Sequence, residues 1–120
     1  MKYTDSHEWI LVQENVGIVG ISKHAQKELG EVVYIQLPMQ GQAVKARTEI
    51  AVLESTKAAA DIYSPVSGVI IAVNQKVQED PSLLNLHPEE HGWLFKISLS
   101  DPSELDHLLN QAEYLQLISG

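Results

Sequence analysis

The sequence predicts a mainly β protein folded as a sandwich or barrel. Short apolar segments rich in Val, Ile and Leu recur about every ten residues, and turn residues separate them. Helical periodicity is confined to a short internal segment and the C-terminus. The chain has 120 residues, of which 44% are hydrophobic, so we expect one domain with its own core, residues 1–120.

The first elements are expected to form a β-hairpin. The apolar segments Glu8–Gln13 and Gly17–Ile21 predict two strands, and the residues between them, Glu14-Asn15, are a turn signal. The chain therefore opens with two neighbouring strands.

A short helix is predicted to follow the hairpin. Ser22 has the side chain of a good N-cap, Lys23–Leu29 supplies the helix, and Gly30 suits the position that ends it. The β-branched segment Val32–Leu37 is then expected to be a strand, which Pro38 closes.

Lys57 lies between two further predicted strands and is the most informative residue of the chain. Glu49–Leu53 precedes it and Ala59–Tyr63 follows it, so we expect the lysine at the tip of a hairpin, outside the core. A lysine in that position can be reached by an enzyme that acylates its amine. The small residues Ala58–Ala60 leave room for such an enzyme.

The C-terminal part is expected to add two strands and then helices. The strands are predicted at Val69–Val73 and Trp93–Leu99. Asp101 is expected to cap a helix that has Pro102 at its first position and Glu104 at N3. The apolar face of that helix is predicted to consist of three leucines, Leu105, Leu108 and Leu109.

The last predicted element is a second C-terminal helix over Ala112–Ile118. Asn110-Gln111 is expected to break the helical pattern before it. The chain thus ends in helices rather than in a strand.

Composition disfavours several classes of function. Sixteen acidic and eight basic residues give a net charge of -8, which argues against nucleic acid or anionic membranes as partners. The chain has no cysteine, so any redox group must be supplied to it. No apolar run is long enough to span a bilayer and no signal peptide is recognisable, so a cytoplasmic location is expected.

Several short motifs follow one another in order over nearly the whole chain. They are Ser6-His7-Glu8-Trp9, Gly20–Gln26, Leu29–Tyr34, Leu37-Pro38, Glu54–Ala59, Asp61–Gly68 and Gly92–Ile97. Each motif alone is weak, but their ordered sum is specific. With these motifs, from Tyr3 to about Tyr114, the sequence resembles the H protein family of the glycine cleavage system.

The resemblance implies a fold, a cofactor and a site. The fold is a barrel-sandwich hybrid like that of lipoyl and biotinyl carriers, with two antiparallel sheets, a short internal helix and C-terminal helices. The implied protein is a monomeric carrier rather than an enzyme, with lipoate in amide linkage to Lys57. The implied pocket for the aminomethylated arm includes Ser6, Glu8 and Asp61, whose hydroxyl and carboxylates suit a cationic amine.

The resemblance also implies the partners. A P protein (glycine decarboxylase) loads the aminomethyl group, a T protein (aminomethyltransferase) removes it, and an L protein (dihydrolipoamide dehydrogenase) reoxidises the dithiol. A lipoate ligase, or an octanoyl or lipoyl transferase, attaches the cofactor. A long flexible tether presents its reactive end to each docked enzyme at a high effective concentration.

Three alternative functions remain open. A lipoyl relay, which passes lipoate to other lipoyl domains, is suggested because His87–Trp93 departs from the Pro-Tyr-x-x-Gly-Trp pattern of the family. A biotin carrier is disfavoured because Thr56 and Ala58 flank the lysine where that class prefers Met. A hydrolase would rest on Ser6-His7-Glu8, whose neighbouring side chains are expected on opposite faces of a strand.

The remaining histidines and the tryptophans have ordinary interpretations. His87 and His91 have i,i+4 spacing, but the Pro and Gly that directly follow them leave room for a single helical turn at most. We therefore expect no metal site. Trp9 and Trp93 are expected to be packing residues of the core.

Overall fold

Two antiparallel β-sheets form the framework of the protein, whose residues 1–119 are described by a computed structural model. The larger sheet has the strand order β1-β2-β3-β9-β8-β5 and the smaller one β4-β6-β7. The strands are β1 (Lys2–Tyr3), β2 (Glu8–Gln13), β3 (Val16–Ile21), β4 (Val32–Gln36), β5 (Ala43–Val44), β6 (Glu49–Ser55), β7 (Ala59–Tyr63), β8 (Gly68–Val73) and β9 (Phe95–Leu99). The prediction of a mainly β fold is confirmed.

Short helices connect and flank the sheets. They are α1 (Lys23–Leu29), α2 (Gln75–Glu79), α3 (Ser82–Leu86), a 3-10 helix (Pro102–His107) and α4 (Gln111–Ser119). Within residues 1–119, none of them combines the length and the apolar character that a membrane span requires.

The core has two parts. The main part lies between the sheets and is made of fully buried aliphatic side chains and one phenylalanine, among them Val19, Leu53, Ile70, Phe95 and Ile97. Each such side chain contributes about 1.5–3 kcal/mol when it is removed from water.

The second part of the core is aromatic. Tyr3 stacks on Tyr114 with 4.3 Å between ring centroids, and Trp9 is buried beside them. Trp93 packs against this cluster while partly exposed, and the Trp9 indole N–H donates to the carbonyl of Pro88 at 2.9 Å. Both tryptophans are thus packing residues in this structure.

Helix α1 begins and ends where its sequence predicts. The Ser22 hydroxyl accepts from the N–H of Ala25 at 3.1 Å, and Gly30 follows the helix with φ +80°. The sequence did not reveal a second cap: the carboxylate of Glu89 accepts from the N–H of Lys23 at 2.9 Å. An acidic group from a distant loop therefore supports a helix whose first turn has none of its own.

The helix predicted after Asp101 is present, as a short 3-10 helix over Pro102–His107. The Asp101 carboxylate accepts from the N–H of Ser103 at 3.1 Å. Glu104 does not close a capping box, because its carboxylate accepts instead from the N–H and hydroxyl of Ser67 at 2.7 and 2.8 Å. A tertiary contact thus outcompetes the local one.

The predicted single leucine face is wrong. Leu105 and Leu108 pack on the main core, whereas Leu109 packs on the aromatic cluster. The break at Asn110 is the start of α4: its side chain accepts from the N–H of Glu113 at 2.8 Å, and Glu113 accepts from the N–H of Asn110 at 2.9 Å. This reciprocal pair is a capping box.

Four short elements were not predicted from the sequence. They are β1, which pairs with β2, β5, which pairs with β8, and the five-residue helices α2 and α3. The α3 residue Asn85 uses its side-chain amide to bond both the N–H and the carbonyl of Val32 at 2.9 Å. This contact fixes the start of β4 and thereby the loop that follows α1.

Candidate functional site

The hairpin between β6 and β7 presents Lys57 to solvent, as predicted. Glu54 and Ala59 are its last paired residues, and the positions between Ser55 and Ala59 are exposed. Ser55 closes the turn: its N–H donates to the carbonyl of Ala58 at 2.7 Å, and its hydroxyl oxygen accepts from the N–H groups of Lys57 and Ala58 at 3.2 and 3.0 Å. The backbone of the lysine is therefore held while its side chain remains free.

The tip of this hairpin lies against the end of α1. The N–H of Thr56 donates to the carbonyl of Glu31 at 3.1 Å. The Cε atom of Lys57 lies 3.2 Å from the point where a Cβ on Gly30 would stand, so the side chain crosses the loop directly after the helix. The missing side chain of Gly30 is what leaves space for that path.

A cleft of about 340 Å³ lies between α1, the edge strand β7 and the segment before β2. Its walls combine apolar groups with a hydroxyl, an imidazole and two carboxylates. The lining residues are Ser6, His7, Ile21, Ala25, Glu28, Leu29, Ala60, Asp61 and Ile62. The hairpin of Lys57 and the cleft share β7 and the end of α1, so they are neighbours in space.

Ser6 and Asp61, two of the predicted pocket residues, lie on the cleft wall. Both side chains are exposed. Glu28 adds a second carboxylate to the wall, and no sequence motif had indicated it. A cation that entered this cleft would meet two carboxylates and one hydroxyl.

Glu8, the third predicted pocket residue, is buried behind the wall at 1% exposure. Its Oε1 accepts from the hydroxyls of Thr4 and Ser6 at 2.5 and 2.6 Å, and its Oε2 accepts from the N–H of Tyr63 at 3.2 Å. Burial raises the pKa of this carboxyl, whereas donation to it from the hydroxyls of Ser6 and Thr4 and from the backbone N–H groups of Tyr63 and Glu8 acts in the opposite direction. Glu8 thus fixes the orientation of Ser6 and joins β2 to β7.

His7 occupies a position that the sequence did not reveal. It precedes β2 with φ +76°, so the expected strand alternation does not apply to Ser6 and His7. Its Nδ1 lies 2.8 Å from the hydroxyl of Tyr114, which lies 2.7 Å from that of Ser22. Burial lowers the pKa of His7, and the neighbouring His24 lowers it further.

These contacts remove the basis of the hydrolase alternative. Ser6 bonds to Glu8 directly, and His7 turns to Tyr114, so the three neighbours do not form a Ser-His-acid relay. The role of His7 depends on how close it lies to α1 and α4, and no local sequence pattern contains that information.

Comparison with known proteins agrees with the fold. The sequence profile described as glycine cleavage H-protein matches residues 1–120. The glycine cleavage system H protein of Thermotoga maritima is 50% identical over 113 residues, or 94% of this chain and 91% of the relative. That of Alcanivorax borkumensis is 51% identical over 114 residues, or 95% and 89%.

A solved structure supports the same assignment. The crystal structure of a glycine cleavage system H protein from Mycobacterium marinum matches with a TM-score of 0.91 and 32% identity, over 99% of this chain and 96% of that one. The predicted barrel-sandwich hybrid and the resemblance drawn from the sequence motifs are confirmed. The chain therefore belongs to the glycine cleavage H-protein family, whose members are non-catalytic lipoyl carriers of the glycine cleavage system.

Proposed function

We propose that this protein carries lipoate in amide linkage to Lys57 and presents the arm in turn to the other components of glycine cleavage. The observation that carries the proposal is the position of Lys57, exposed at a hairpin tip whose backbone is fixed. The neighbours Ala58 and Ala59 are small and exposed, so a modifying enzyme meets little obstruction.

The protein contributes position and shielding rather than bond chemistry. Lipoate, when attached, supplies a disulfide whose sulfurs accept the aminomethyl group and the electrons. The hairpin sets the point from which the arm swings, and the bond between Thr56 and Glu31 fixes that point relative to α1. A tether with a fixed origin raises the effective concentration of its free end at each docked partner.

We assign the cleft beside β7 to the amine-bearing end of the arm. The carboxylate of Asp61 is the partner for the cationic amine and the hydroxyl of Ser6 its hydrogen-bonding neighbour. Glu8 belongs to the pocket as the group that orients Ser6 from behind. The apolar side chains in the wall exclude water around the amine, which slows premature loss of the one-carbon unit.

The proposed partners follow from the family. Members of the family work with other glycine cleavage components. We assign the individual steps to the P, T and L proteins. A lipoate ligase, or an octanoyl or lipoyl transferase, would modify Lys57. We propose that the protein meets these enzymes as a monomer in the cytoplasm.

The lipoyl relay draws no support from the His87–Trp93 segment that suggested it. Pro88 accepts the indole N–H of Trp9, and Glu89 caps α1. The segment therefore has a structural role in this chain, and its departure from the family pattern needs no separate function.

The first experiment combines mass spectrometry with reconstitution. The peptide that contains Lys57, taken from protein purified from its native cells, should carry a lipoyl increment. The Lys57→Arg variant should lose glycine cleavage entirely in a system reconstituted with P, T and L proteins, whereas Lys76→Arg, at an exposed position on α2, should not. Normal turnover by Lys57→Arg would overturn the proposal.

A second experiment tests the pocket. In Asp61→Asn the cationic amine loses its carboxylate, so the loaded group should be lost several-fold faster than from the parent protein. Asp106→Asn, on the exposed side of the 3-10 helix, is the matched control. An unchanged lifetime in Asp61→Asn would refute the assignment of the cleft.

A further inference from the structure

Two histidines and a glutamate meet at the mouth of the cleft. The imidazole rings of His7 and His24 have centroids 4.9 Å apart, and His24 Nε2 lies 2.5 Å from Glu28 Oε1. One ligand atom from each of the three lies within 4.8 Å of the other two. We propose that His7, His24 and Glu28 bind a divalent transition-metal ion of the zinc type.

The donor set defines the class of metal. Two imidazole nitrogens and one carboxylate oxygen suit Zn²⁺, Ni²⁺ or Cu²⁺ and are poor ligands for Mg²⁺ or Ca²⁺. Three protein ligands leave a fourth tetrahedral position for water or an external ligand. His7 and Glu28 both line the cleft, so that position is reachable from it.

The geometry requires only a small adjustment. Bonds of about 2.0–2.2 Å to a tetrahedral metal place its ligands roughly 3.3–3.6 Å apart. The present separations bracket this range, from 2.5 Å between His24 and Glu28 to at most 4.8 Å within the group. The side chain of Glu28 is 63% exposed and can rotate without disturbing the core.

The groups behind the cluster hold its side chains in an arrangement that suits metal binding. Nδ1 of His7 faces the buried hydroxyl of Tyr114, which leaves Nε2 for a metal. The same hydroxyl contacts Ser22, the N-cap of the helix that carries His24 and Glu28. A hydrogen bond to the second ring nitrogen is the usual support of a metal-ligating histidine, and its loss costs about 10–100-fold in affinity.

The pair noticed in the sequence, His87 and His91, provides the contrast. Their rings lie 5.5 Å apart in an edge-to-face contact. In the part of the chain from Met1 to Ser119, however, no third His, Cys, Asp or Glu completes a cluster with them. The two pairs have similar ring distances, so the third ligand is what should distinguish them.

Calorimetry on the tag-free, unlipoylated chain tests the site with zinc chloride. We expect one equivalent to bind, and we expect His24→Gln and Glu28→Gln each to weaken it at least tenfold. His91→Gln is the matched control and should bind like the parent. Absence of binding at millimolar zinc, or equal affinity in His24→Gln and the parent, would overturn the proposal.

NMR of the histidine side-chain nitrogens tests the site in the parent chain, so this result does not depend on whether a variant folds well. The chain has five histidines, and zinc below one equivalent should shift only His7 and His24. Tyr114→Phe should weaken zinc binding about tenfold while the ligands stay in place. Equal shifts of all five histidines would show nonspecific binding and refute the site. Because the chain is unlipoylated, neither result depends on the proposed carrier role.

Discussion

The hairpin of Lys57 and the segment Thr4–Glu8 both border the cleft, yet they are built in opposite ways. The hairpin is exposed, and its turn is closed by Ser55 within three residues. The other segment contains a buried carboxylate that bonds to Tyr63, 55 residues away. The proposed attachment point thus has few tertiary contacts, chiefly the bond from Thr56 to Glu31, whereas the proposed pocket is rich in them. We expect stability and chemistry to depend on different ends of one site.

Replacing Glu8 with Ala should have the largest effect on stability. The N–H of Tyr63 and the hydroxyl of Thr4 would lose their acceptor, and a buried gap would remain. We expect a loss of about 2–4 kcal/mol in the free energy of unfolding, measured with urea. Glu54→Ala removes an exposed carboxylate and should cost under about 0.5 kcal/mol. Equal losses in the two variants would mean that the two regions do not differ in their contribution to stability.

Gly30→Ala should affect both regions at once. With φ +80° and ψ -154°, Gly30 lies in a region that is essentially restricted to glycine, so we expect a cost of about 1–3 kcal/mol. The new Cβ would also stand 3.2 Å from Cε of Lys57 and slow its lipoylation. Gly41→Ala is the control, because φ there is +90° and the surrounding space is open. If both variants are lipoylated at the parent rate, Gly30 does not shape the path of the lysine.

Glu8→Gln should change how stability depends on pH. Since burial raises the folded-state pKa of Glu8 above its ordinary value of 4.5, the folded chain holds that proton more tightly than the unfolded chain. Its contribution to stability is therefore lost as pH rises from about 4.5 through the folded-state pKa, with a slope of at most about 1.4 kcal/mol per pH unit. The variant should lack this loss, and parallel curves for the two proteins would contradict it.

Lys57→Ala should have the smallest effect on stability. The side chain is exposed and the turn is closed by Ser55, so the free energy of unfolding should change by less than about 0.5 kcal/mol. Lipoylation should nevertheless be absent. A large loss of stability would mean that the attachment point also supports the fold.

The hairpin was predictable because its signals are local. Apolar strands flank Lys57, and the turn around it depends on Ser55 and Ala58, which are near neighbours. The cap of α1 at Ser22 was predictable for the same reason. The resemblance to the family then supplied Ser6 and Asp61, which lie on the cleft wall.

Most of the missed features depend on distant partners. Glu104 leaves the expected cap to bond Ser67, 37 residues away. His7 is recruited by Tyr114 from the last helix, and Glu28 becomes part of a site only because α1 packs beside β7. No periodicity or spacing in the sequence indicates these contacts. Helices α2 and α3 were missed because five residues are too few for an amphipathic pattern.

The bond between Glu8 and Tyr63 also bears on how the protein avoids aggregation. Strand β7 is an edge of the smaller sheet, and a free edge invites pairing with a strand of another chain. By accepting the N–H of Tyr63, Glu8 occupies a backbone donor that a second molecule would otherwise use. Loss of Glu8 should therefore expose this donor, and we expect it to promote association through the β7 edge as well as unfolding.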